Sequence, residues 1–156
     1  KMEATHSMDI EVQAESNNDD IISQNERISH KDAYKLNGFT FVETPVLIEI
    51  IAMVLEAIIK ETDQMGDAFL TGFHGKSVPG ISIRDYLFRI SSHSQCSDEC
   101  LVLALIYIDR ITERIRAFMI KSLNIHRLLI TGIMLAAKFY DDQYYNNEYY
   151  SRIGGI

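Results

Sequence analysis

The order of apolar and polar positions divides the chain into two regimes. Residues 1–40 are polar and aperiodic, and stretches such as "ESNNDD" and "SQNERISHKDAYK" offer few groups to bury. This segment reads as an acidic N-terminal tail, flexible or loosely docked, and residues 41–156 as a folded domain whose start falls near Phe39. The stretch "FVETPVLIEIIAMVLEAIIKETD" then supplies Thr44 as an N-cap and Pro45 at the first helical position, ahead of an apolar run broken only by Glu49, Glu56 and Lys60. Those three charges share one narrow stripe, so the spacing predicts a core helix buried on several sides. Charges at 49 and 56 leave no stretch long enough for a membrane span. Residues 64–81 hold four of the eight glycines and one of the two prolines, the composition of a long ordered loop.

A second helix opens at Ser82 with Ile83, Tyr86, Leu87 and Ile90 on one face, leaving Arg84, Asp85 and Arg89 outside it. A third opens with Ser97, Asp98 and Glu99, where acids favour the positive end of the helix dipole. Its stretch "CLVLALIYI" contains no polar residue, which makes it the central helix and demands cover from all sides. The fourth runs from Asn124 through "IHRLLITGIMLAAKFY", where Gly132 and Ala136, one turn apart, permit close approach of a neighbour. A short fifth begins near Asn147 and ends at Gly154-Gly155, a C-cap signal, with nothing obvious to pack on. No strand-like alternation competes with these helices and no internal repeat is visible. The fold class is all-α.

Charge narrows the partners. Residues 1–43 carry nine acids and four bases and residues 44–156 thirteen and eleven, so the net −7 sits mainly in the tail. Neither part has the basic stripe that nucleic acid needs, and anionic lipid would repel both. Folded protein is the expected partner, with no nucleic acid and no membrane. Two cysteines are too few for a disulfide scaffold and fit an intracellular setting, and no targeting peptide is visible at the start.

Chemical constellations are sparse. His93, Cys96 and Cys100 could begin a zinc site, but no fourth ligand lies nearby, and a buried thiol on the third helix with a loop thiol is the simpler reading. Nor does His93 make a nucleophile of either cysteine. Asp141-Asp142 with Asn146-Asn147 could ligate magnesium, yet these types are expected as caps and turn formers where two helices join. Arg110, Arg114, Arg116, Lys121 and Arg127 form a basic cluster that reads as a solvated rim. No metal, cofactor or active site is expected, and the chain does not read as an enzyme.

Four stretches carry a family resemblance: "FHGKSVPGISIRDYLFRI" (73–90), "CLVLALIYIDRI" (100–111), "LNIHRLLITGIMLAAKF" (123–139) and "DDQYYNNEYYSRIGGI" (141–156). In order and spacing they resemble the cyclin box, and within it the P/U-type cyclins of the phosphate-regulatory kind. The resemblance implies a cyclin-box helical bundle of an N-terminal helix plus four box helices. The fifth box helix is expected to be absent, leaving a C-terminally truncated box. It also implies a regulatory subunit, nuclear and/or cytoplasmic, that binds and activates a cyclin-dependent kinase and has no catalysis of its own. Lys138 resembles the box lysine that meets the kinase, with Phe139, Asp141 and Asp142 beside it, and Asp109 of "YIDR" resembles a buried structural aspartate. Its expected partner is Arg84 or Arg89. The M-R-A-I-L substrate-docking pattern of mitotic cyclins is replaced by "SIRDYL". Apolar surface left by the missing helix is expected to drive self-association or docking of residues 1–40. The alternative from another class is a cyclin-fold repeat of the transcription-factor kind that grips nucleic acid, against which the acidic balance argues.

Overall fold

The computed structural model describes residues 43–66 and 70–156. The expected tail over residues 1–40 and the domain start near Phe39 lie outside the described residues. Among those described there are five helices and no strand: α1 (Thr44–Thr62), α2 (Ile83–Ser94), α3 (Asp98–Arg114), α4 (Ile125–Tyr140) and α5 (Asn147–Gly154). The all-α expectation holds.

Local capping explains most of the ends. The Ser82 hydroxyl accepts from the Asp85 amide at 3.0 Å and starts α2, and the Asn146 side chain accepts from the Tyr149 amide at 2.9 Å and starts α5. Gly155, at φ 66°, takes the left-handed conformation that closes α5. The start of α1 differs from expectation. Glu43 is the N-cap and Thr44 is already helical. The Thr44 hydroxyl instead donates to the Asp98 carboxylate at 2.8 Å, tying the first turn of α1 to the first turn of α3.

Helix α1 is also less enclosed than its apolar run suggests. Ile48, Ile51, Ala52, Leu55 and Ile59 are buried at helical spacing, whereas Val46, Ile50, Met53, Val54 and Ile58 are exposed. Its main contact is α2, which covers one face. Helices α3 and α4 make the most extensive pair, and Gly132 is the reason they come so close. A Cβ at that position would stand 3.1 Å from the Cβ of Ala104. Around this contact Cys100, Leu101, Ala104 and Ile108 of α3 meet Leu129, Ile133 and Ala136 of α4, all buried. The uniformly apolar face of α3 is not covered all round: Val102 and Ile106 remain exposed.

Short α5 is not stranded. It packs on α2 and α4, burying Tyr150 and Ile153, and the Tyr86 hydroxyl donates to the Gly154 carbonyl at 2.9 Å. The loop before α2 is pinned to the start of α4 from three directions. Gly75 N–H donates to the Leu123 carbonyl at 2.7 Å, Arg127 to the Gly72 carbonyl at 3.1 Å, and His126 Nε2 to the Ile81 carbonyl at 3.0 Å.

Candidate functional site

The expected site residues cluster where α4 ends and the chain turns into α5. Helix α4 buries one side almost completely, so the residues on its far side at the C-terminal end have only solvent to face. Phe139 is 80% exposed, and Leu135, one turn earlier on the same side, is 50% exposed. Tyr140, Tyr144 and Tyr145 extend this apolar surface, and Tyr145 stacks on Tyr149 with ring centroids 4.0 Å apart. The Tyr149 hydroxyl donates to the His93 carbonyl at 2.9 Å, which fastens the turn to the end of α2. Lys138 lies at the edge of the patch, half-buried, and its ammonium donates to the Asn147 side-chain oxygen in the first turn of α5.

The two aspartates part company. Asp142 is exposed beside the patch. Asp141 turns inward: its Oδ2 accepts from the Ser97 amide at 3.1 Å and from the Cys100 thiol at 3.2 Å. Ser97 is the N-cap of α3 but its own side chain makes no capping bond, so the Asp141 carboxylate serves the positive end of that helix from 44 residues away. Burial, with the Asp141 carboxylate adding to it, pushes the Cys100 thiol up to about 12. Burial also raises the Cys96 thiol above its ordinary value. Both cysteines are free thiols, with Cys96 in the loop and Cys100 buried on α3. Among the described residues no group of three His, Cys, Asp or Glu side chains is placed to hold a metal ion.

The expected Asp109 pairing is not what the structure contains. Buried positions on α3 run through Leu101, Ala104 and Ile108, and Asp109 falls one step off that stripe and is exposed. Arg84 pairs instead with Glu49 of α1 and, at 3.3 Å, with its neighbour Asp85. Its guanidinium also lies 5.0 Å from the centre of the Phe88 ring. Arg89 is exposed. The first turn of α2 faces α1, which puts Arg84 within reach of Glu49 rather than of Asp109.

Sequence reasoning missed Leu135, Asn147 and the Tyr145–Tyr149 stack as parts of this surface. Leu135 was detectable, being one helical turn before Phe139. Asn147 was not, because its contact with Lys138 depends on how the turn folds back.

The helical bundle thus carries an exposed apolar patch beside a lysine where α4 ends. The cyclin family's sequence profile matches residues 46–156. Cyclin-U1-1 of Arabidopsis thaliana is 42% identical over 124 residues, covering 75% of this chain and 59% of that protein. Cyclin-P3-1 of Oryza sativa subsp. japonica is 37% identical over 139 residues, covering 81% and 58%. The Nuc-1 negative regulatory protein preg of Neurospora crassa is 36% identical over 115 residues, 70% of this chain and 24% of that protein. The chain belongs to the cyclin family and is of its P/U type. It spans less than two thirds of the length of these relatives. No helix among the described residues is long and apolar enough to cross a membrane.

Proposed function

We propose that this chain binds a cyclin-dependent kinase and holds it in its active conformation through the surface around Lys138 and Phe139. The observation that carries the reading is the exposure of Phe139 and Leu135 on a helix whose opposite side is fully packed. An apolar side chain displayed on a rigid support loses little entropy on binding, and docking it against a kinase helix gains apolar burial. In this reading Lys138 donates to carbonyls at the end of that helix, and Asp142 adds a charge at the rim. Activation follows from fixing the kinase's mobile helix in the position its catalytic ion pair requires. Asp141 does not enter the contact, since its carboxylate is engaged within the domain.

The test is binding of a cyclin-dependent kinase subunit by calorimetry with Lys138→Glu and Phe139→Ala. Each is expected to weaken binding by about 2 kcal/mol or more, with the melting temperature unchanged for Phe139→Ala and lowered slightly for Lys138→Glu, which also loses the bond to Asn147. Equal affinity for both variants would remove this surface from the interface. The nucleic-acid alternative gains no support from Cyclin-U1-1 or Cyclin-P3-1, both named as cyclins.

A further inference from the structure

We propose that the outer face of α1 is the two-fold interface of a homodimer of this chain. Val46, Ile50, Met53, Val54 and Ile58 recur at helical spacing, which places them on one side of α1. That side lies opposite the buried Ile48, Ala52, Leu55 and Ile59. The five range from 38% exposed at Ile58 to 68% exposed at Met53. Leu47, half-buried, and Ala57, exposed, share the same side, so the face is aliphatic over roughly 18 Å of helix. The charges stand at its edge: Glu49, Glu56 and Lys60 form a stripe beside the face and do not interrupt it between Val46 and Ile58.

The area of this face matches what a dimer needs. Aliphatic side chains left about half uncovered offer roughly 90 Å² each, so the five present about 450 Å² of apolar surface. A standard interface takes about 800 Å² from each partner, of which about 56–65% is apolar, or roughly 450–520 Å².

The chemistry of the face selects a second copy of itself. It holds no arginine or aromatic anchor of the kind that dominates binding to an unlike partner, and Glu49, Glu56 and Glu61 would be repelled by anionic lipid. An isologous contact sets aliphatic against aliphatic. The antiparallel arrangement, with Val54 on the two-fold axis, places Ile50 opposite Ile58 of the other copy. It also brings each Lys60 to the other copy's Glu49, and each Glu61 to the positive end of the other α1. A parallel arrangement would instead oppose Glu61 to Glu61 and align the two helix dipoles.

This interface shares no residue with the surface around Lys138 and Phe139, and its formation requires no kinase. The two readings therefore fail separately.

The experiment is sedimentation velocity of the full 156-residue chain from about 1 to 200 µM, the range suited to a contact of standard area without charged anchors. The mass is expected to rise from 17.9 kDa toward twice that value, and the melting temperature to rise with concentration, because association stabilises by mass action. Val54→Lys opposes two lysines across the axis while replacing a β-branched residue by a better helix former. It is expected to keep the circular dichroism spectrum and to weaken association by roughly tenfold or more. Lys60→Glu, at the edge, is expected to weaken it by about threefold. Phe139→Ala is expected to leave association in place. A 17.9 kDa species at every concentration would overturn the proposal, and so would a dimer that Phe139→Ala disrupts and Val54→Lys does not.

Discussion

Asp141 and Asp142 are adjacent in sequence and opposite in consequence. Replacing Asp141 by alanine removes the acceptor of the Ser97 amide and an acceptor of the Cys100 thiol, at the positive end of α3. Loss of a capping acceptor costs about 0.5–2 kcal/mol, and a hydrogen bond to a charged group contributes about 1.5–3 kcal/mol, so the two views of one interaction bracket about 1–3 kcal/mol. For a domain of this size that lowers the melting temperature by roughly 4–12 °C. Asp141→Asn keeps an acceptor oxygen but loses the charge, and is expected to fall between. Asp142→Ala should stay within about 0.5 kcal/mol of the parent, because the side chain is exposed. Thermal unfolding followed by circular dichroism at pH 7, run beside kinase binding, reads both quantities. The reasoning fails if Asp141→Ala melts with the parent protein yet loses kinase binding, for then the carboxylate serves an interface and not the helix.

Three further outcomes follow from the packing. Gly132→Val must place its side chain where a Cβ alone would already lie 3.1 Å from Ala104, so it should force α3 and α4 apart and destabilise the domain by about 1–3 kcal/mol; an unchanged melting temperature would show that the pair can yield. Because burial holds the Cys100 thiol at about 12 rather than its ordinary 9.0, its contribution to stability is complete below pH 9 and is lost as pH rises toward 12. Cys100→Ala should therefore lose less stability than the parent between pH 9 and 11, and iodoacetamide should label Cys100 only once denaturant is added. Asp109→Asn should leave the melting temperature within about 2 °C, and a larger drop would restore the structural role that its exposure denies it.

The helices were legible in the sequence because each is specified by neighbours three and four residues apart. Ile83, Tyr86, Leu87 and Ile90 are all buried, as their spacing requires, and Ser82 caps them as its position suggests. The close approach at Gly132 was legible for the same reason. What local pattern does not carry is which of two plausible partners a polar group selects across the fold. Thr44 is a good capping residue, but a carboxylate 54 positions away claims its hydroxyl. Arg84 was expected to meet Asp109, and the direction of α2 gives it to Glu49 instead. Nor does an apolar run disclose how many of its sides find cover, as the exposed Val46, Ile50 and Met53 show.

One helix organises both ends of the molecule. The middle of α4 is locked against α3 at Gly132, so neither end can shift without disturbing that close contact. At its C-terminal end three ties converge: Lys138 reaches Asn147, Asp141 reaches the start of α3, and the Tyr145–Tyr149 stack is fastened to α2 through the Tyr149 hydroxyl. Exposed apolar side chains on a loosely held turn would collapse onto the nearest apolar surface. Here the supports come from three other helices, and collapse would break capping and hydrogen-bonded contacts as well as move a side chain. Phe139 therefore stays presented to solvent, and a partner that covers it need not first order the surface to which it binds.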